Sequence, residues 1–214
     1  MWEQCIDPDI NLSVHTYARA MYRVDGVTEC VPAYASLLIT HRGGSKVSAA
    51  IRETVYGFNS EPFDSIDGRL HELPVCYGGN LGPDLDAVSR HCELSPEQVI
   101  DLHTHQEYLI YFLGYRPGFG FMGQTDARLE VPRLTSPRSR VPPGSVGLAG
   151  RQTGIYPNAA PGGWQLIGSC PLPLLSEDPK ELTRLRAGDR VRFYEVSVGE
   201  YHQLRKHPLP WQAR

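Results

Sequence analysis

The chain has 214 residues, 41% hydrophobic and 21% charged, with a formal net charge of −3. That length can bury a sizeable core in one domain or two small ones, while the mild acidity offers neither nucleic acid nor an anionic membrane the concentrated basic surface it favours. The longest strongly apolar run, YLIYFLGY at residues 108 to 115, is too short to span a bilayer, and no basic-then-apolar segment opens the chain, so a cytoplasmic location is expected.

From Asp9 to Met21 the apolar residues Ile10, Val14, Tyr17 and Met21 recur at helical spacing, behind an Asp-Pro-Asp that can supply a cap. GVTECV and ASLLITH read as two short strands joined by PAY. SKVSAAIRETVYGF returns to helical spacing through Val47, Ile51 and Val55, and HELPVCY alternates at Leu73, Val75 and Tyr77. The resulting order α, β, β, α, β is one strand short of β-α-β-β-α-β, the split arrangement called ferredoxin-like. Because the missing first strand would lie inside that sheet, a true start upstream of Met1, or a truncation, is expected.

Gly78, Gly79 and Gly82 then precede a short helix starting near Asp84. Glycines before a helix can cradle phosphate, but the lysine of a Walker A loop is absent, so the stretch reads as a capped linker. A second helix start follows, where Ser95, Pro96 and Gln98 fit a capping box with proline at the first helical position. After His105 the pattern changes to short strands, EYLIYFLGY, SVGLAG, GGWQLIG and DRVRFYEVS, divided by glycine and proline, with no further convincing helix. Such punctuation argues for a closed β-barrel. The expected division is an α/β domain over 1–80, a helical linker over 81–105, a barrel over 106–200 and a loosely held tail over 201–214.

Charge segregates in the second half: between Arg128 and Arg151 stand five arginines, Arg128, Arg133, Arg138, Arg140 and Arg151, against one acid, Glu130. Guanidinium forks suit carboxylate and phosphate, which suggests an anion site; solvated loop arginines paired with acids elsewhere are the alternative. In HTHQEYLIYFLGY, an extended backbone would set His103 and His105 on one face with Glu107 nearby, a pattern able to shuttle protons or bind metal. No third ligand is evident, so no metal is expected and hydrogen-bonding histidines stand beside the catalytic reading. The stretch GRQTGIYPNAAPGGW surrounds Gln152, Thr153, Tyr156 and Trp164 with four glycines and two prolines, as either a shaped site or a linker would. Ser145 lacks the G-x-S-x-G frame of a nucleophile, and the five cysteines, odd in number and without a CxxC pair, read as reduced thiols.

Four segments, LPVCYGGNLGPDLDAVSRH, LHTHQEYLIYFLGYRPGFGFMG, PRLTSPRSRVPPGSVGLAGRQTGIYP and PGGWQLIG, strongly resemble the KipI/PxpB family, also called allophanate hydrolase subunit 1 or the B-type subunit of 5-oxoprolinase. The likeness runs from about Ile10 to about Ser197. It implies an α+β fold: a small ferredoxin-like α/β N-terminal domain, here without its first strand, followed by a cyclophilin-like β-barrel. It further implies a subunit working with PxpC/KipA-type and PxpA-type proteins in the ATP-dependent opening of 5-oxoproline to L-glutamate, with Mg-ATP as co-substrate. Some members inhibit sporulation histidine kinases, which makes kinase inhibition the alternative function. The family is also related to the carboxyltransferase part of urea carboxylase. Residues matching its motifs are His103, Glu107, Arg133 and Arg138 in catalytic roles, and Arg151, Gln152, Thr153, Tyr156, Gly163 and Trp164 in substrate or nucleotide binding. The chain departs from the family in lacking a Gly-Asp start, in His105, and in Gly120 and Met122 within the usual PGFPYLGG pattern.

Overall fold

The computed structural model describes residues 3, 5–57, 68–176, 178 and 182–208. The chain divides into two compact units, Met1–Ile66 and Asp67–Arg214.

The first unit contains helix α1 (Pro8–Met21), strands β1 (Val27–Pro32) and β2 (Leu37–His41), and helix α2 (Gly44–Gly57). Asp7 caps α1 by accepting the backbone N–H groups of Asp9 and Ile10, and Pro8 occupies the first turn, where a missing donor costs nothing. β1 and β2 form an antiparallel hairpin whose turn is held by buried Asn11, which donates to the Ala33 carbonyl at 2.9 Å. Ala18, Met21 and Cys30 form the buried centre between α1 and the hairpin.

The second unit is built around a closed barrel of seven strands in the order β10-β3-β11-β4-β5-β8-β7. These are β3 (Leu70–Tyr77), β4 (Glu107–Leu113), β5 (Gly120–Gly123), β7 (Ser145–Ala149), β8 (Gln152–Ile155), β10 (Gln165–Ser169) and β11 (Arg190–Glu195). Antiparallel pairing of β7 with β10 closes the ring, leaving no exposed sheet edge, and only β3 with β11 is parallel. Their inward side chains, among them Leu73, Val75, Ile110, Met122, Leu148 and Phe193, fill the centre. Buried Asp189, just ahead of β11, ties that strand to β3 by accepting from His71 Nε2 at 2.8 Å and from the Arg69 N–H at 3.1 Å. Burial pushes the Asp189 carboxyl up, but hydrogen bonds from His71, Arg69 and Arg186 outweigh it and hold the group below its ordinary value.

Three expectations are corrected. HELPVCY becomes β3, a barrel strand rather than part of the small α/β unit, because its partners β10 and β11 lie far downstream and alternation reveals a strand without revealing its sheet. The expected linker holds helices α3 (Leu85–Cys92) and α4 (Pro96–Thr104), which bury Leu85, Val88 and Val99 in the barrel core; Ser95 and Gln98 do form the capping box. The tail begins as helix α5 (Val198–Lys206), opened by a capping box of Ser197 and Glu200 and anchored by buried Tyr201; residues 209–214 lie outside the described residues.

Candidate functional site

Strands β6 (Arg138–Val141) and β9 (Ala160–Gly162) form a separate two-stranded ribbon that sets Arg138 opposite Gly162. Tyr156 packs beneath the second strand. A Cβ on Gly162 would collide with the Tyr156 hydroxyl and ring, so only glycine lets the strand approach this closely. Tyr156 and Trp164 are buried with Phe119, whose ring meets theirs edge-on at centroid distances of 5.2 and 5.4 Å. The Tyr115 hydroxyl donates to the Pro161 carbonyl, closing the aromatic cluster against β9. Burial and the neighbouring Tyr115 raise the Tyr156 phenol above its ordinary range, while a backbone hydrogen bond from Trp164 and the charges of Arg133 and Arg138 pull it back. Both arginines therefore lie within electrostatic reach of this phenol.

Arg138 is oriented by Asp84, a residue not singled out from the sequence. One Asp84 oxygen accepts from Arg138 Nη2 at 2.7 Å and the other from the Leu166 N–H at 2.6 Å. The Nη1 of Arg138 is buried without a hydrogen-bond partner among the described residues. Arg138 and Arg140 both line a cavity of about 360 Å³. The Gly163 carbonyl accepts the Leu134 N–H at 2.7 Å and its Cα has room for a side chain, so Gly162 is the sterically required member of the pair.

A second group of expected residues meets in the barrel interior. His103 is fully buried; its Nδ1 pairs with the Tyr77 hydroxyl at 2.7 Å and its Nε2 with Thr153 Oγ1 at 2.8 Å. The imidazole stacks on Phe193 at a centroid distance of 4.6 Å, and Tyr108 donates to the His103 carbonyl. Burial lowers the His103 pKa from 6.5 to about 3, so the ring is neutral near neutrality and needs one donor and one acceptor. Two hydroxyls, each able to serve either way, supply both. The chain Tyr77–His103–Thr153 thus links β3, α4 and β8 through the core.

The remaining expected residues lie apart from these groups. His103 belongs to α4 and exposed His105 caps that helix, so the two do not share a strand face. Among the described residues no cluster of three metal-ligating side chains exists. Glu107, on β4, accepts from Arg192 at 2.5 Å and lies 3.6 Å from Arg190, bridging to β11 across the barrel surface. Arg151 donates to the Thr125 carbonyl at 3.1 Å, and Gln152 pairs with Gly123 of β5. Arg128 forms an exposed ion pair with Asp126 at 2.9 Å. Sequence reasoning missed Asp84, Tyr77 and Gly162. Asp84 stands in a segment of family-like sequence, but nothing local signals a partner 54 residues away.

The model of the carboxyltransferase domain, subdomain C and D, matches residues 1–185. The chain belongs to this family. It is 41% identical over 215 residues to the B-type subunit of 5-oxoprolinase from Bacillus subtilis (strain 168), covering 94% of this chain and 90% of the relative. The corresponding protein of Escherichia coli O157:H7 is 39% identical over 200 residues, with 91% of each chain covered. Among solved structures, TTHA0988 superposes with a TM-score of 0.78 at 33% identity, over 92% of this chain; the chain spans 38% of that longer protein. The family carries over the fold of a small α/β part and a closed barrel.

Proposed function

We propose that this chain is the PxpB-type subunit of an ATP-dependent 5-oxoprolinase, a cytoplasmic complex with PxpC/KipA-type and PxpA-type partners that opens 5-oxoproline to L-glutamate. The observation that carries the reading is the near full-length likeness to two 5-oxoprolinase subunits of the B type. The place of Arg138 on the β6–β9 ribbon above Tyr156, with the charge of Arg133 within electrostatic reach of that phenol, supports it, and five free thiols fit a reducing compartment.

A lactam is a stabilised amide. Transfer of the γ-phosphoryl group from Mg-ATP to its oxygen would release ADP; water would then add to the ring carbon, phosphate would leave and the C–N bond would break to give glutamate, and such transfer demands positioning and positive charge more than a protein nucleophile. Arg133 and Arg138 supply that charge, with Asp84 fixing the direction of the Arg138 fork. Buried Tyr156 and Trp164 support the β6–β9 ribbon from below, and the Gly163 carbonyl holds the Leu134 N–H. His103, enclosed and neutral, positions Thr153 on β8, while Gln152 opens the same strand and Arg151 immediately precedes it. Glu107 braces β4 against β11.

The test is reconstitution. The chain with both partners is expected to release ADP in proportion to added 5-oxoproline, while the chain alone does not. Absence of 5-oxoproline-dependent turnover in the assembled complex would overturn the reading.

A further inference from the structure

The cavity beside Arg138 is assembled from four segments remote in sequence: the glycine-rich loop through Asn80, β6 through Arg138 and Arg140, β10 through Leu166 and Ser169, and α5 through Tyr201 and Arg205. Among the described residues its lining includes three guanidinium groups and no carboxylate. Asp84, which holds Arg138 from outside that lining, has one oxygen on Arg138 and the other on the Leu166 N–H. Neither Arg140 nor Arg205 has an ion-pair partner among the described residues. Ser169 and Tyr201, both buried in the cavity wall, share one hydrogen bond of 3.0 Å; two hydroxyls joined this way leave one proton available to a further acceptor. With Arg138 already paired to Asp84, the charges of Arg140 and Arg205 on the rim of one concavity repel one another, and a bound anion relieves that repulsion.

We propose that this cavity is a phosphoryl-anion site, taking inorganic phosphate, pyrophosphate or the polyphosphate tail of a nucleotide. A carboxylate offers one charge and two coplanar oxygens, enough for a single guanidinium fork. Two guanidiniums from β6, a third from α5 and a hydroxyl of the Ser169–Tyr201 pair instead match a multiply charged group with oxygens in several directions. The site joins two sequence signals with no evident connection, the Gly78–Gly82 loop and the arginine cluster, and adds Arg205 from the stretch that reads as a tail. It rests on the cavity itself and holds whether or not the chain serves an oxoprolinase.

The test is calorimetric titration of the full chain, without its partners, at constant ionic strength. The titrants are pyrophosphate, inorganic phosphate and ADP, with glutamate as the carboxylate control. Saturable one-site binding of pyrophosphate is expected, weakened about tenfold to a hundredfold by Arg140→Ala or Arg205→Ala, each the loss of a charge-assisted hydrogen bond. Both side chains are exposed, so the variants are expected to melt as the wild type does. ADP displaced by pyrophosphate identifies a nucleotide tail as the source. Pyrophosphate or phosphate binding without ADP binding identifies a free phosphate; either result supports the site. Absence of saturable phosphate binding, equal affinity for glutamate, or unchanged affinity in both variants overturns it. Since the readout is binding to the isolated chain, failure here is distinct from failure of turnover in the reconstituted complex.

Discussion

Lowering the pH should destabilise this protein through His103 in particular. In the folded state burial sets its pKa at about 3, against 6.5 when unfolded, so between these values the unfolded chain binds the extra proton. A group of this kind leaves stability intact above its unfolded value and erodes it as pH falls towards the folded one. From about pH 7 to about pH 5 the linkage amounts to about 2 kcal/mol, a substantial part of the roughly 5–15 kcal/mol that holds a typical domain together. The comparison is urea unfolding at both pH values for the wild type and for His103→Gln, whose amide keeps a donor and an acceptor between Tyr77 and Thr153 but does not titrate. Other carboxylates and histidines titrate in both proteins and cancel in the difference. The variant is expected to lose about 2 kcal/mol less than the wild type over this interval. Identical pH dependence in the two proteins would show that His103 is solvated or charged in the native state, and would refute the reasoning.

Gly162→Ala should destabilise by about 1–3 kcal/mol, because its Cβ meets the Tyr156 ring, whereas Gly163→Ala should stay within about 0.5 kcal/mol; chemical denaturation separates them. Asp84→Asn removes the charge facing Arg138 and one acceptor of a two-sided pair, with an expected loss of about 2 kcal/mol by the same measurement. Glu107→Gln, which weakens a partly exposed cross-strand ion pair, should cost less than about 1 kcal/mol. In the reconstituted complex, Arg133→Ala or Arg138→Ala should lower steady-state turnover roughly tenfold to a hundredfold if the lost contact acts in the transition state, and wild-type rates in both would remove them from the anion-binding role.

Local pattern in this chain reveals local structure well. The capping box at Ser95 and Gln98 and the helical spacing of α1 appear in the structure where the residues predict them, because both depend on contacts within a few positions. Long-range pairing is what the pattern conceals. Alternation in β3 gives no hint that its neighbours are β10 and β11, and the spacing of His103 and His105 suggests a shared face only if the helix α4 is read as extended. The arginine cluster is visible as composition, yet the carboxylate that aims Arg138 and the α5 side chain that faces the same cavity lie too far away in sequence to be inferred. Glycine content marks a crowded backbone without telling which glycine is indispensable; that answer needs the position of the Tyr156 ring.

The pairing of β3 also bears on how the chain emerges from a ribosome. Both neighbours of β3 are synthesised much later, β10 about 90 and β11 about 110 residues after it, so at ordinary elongation rates the strand waits roughly 5 to 20 s before both edges can be paired. The antiparallel neighbours β4–β5 and β7–β8 can form hairpins while translation continues, but the ring cannot close until Arg190–Glu195 has left the exit tunnel. During that interval the apolar face of LHELPVCY is open to chaperones and to other nascent chains, and a premature stop upstream of β11 would leave that exposure permanent.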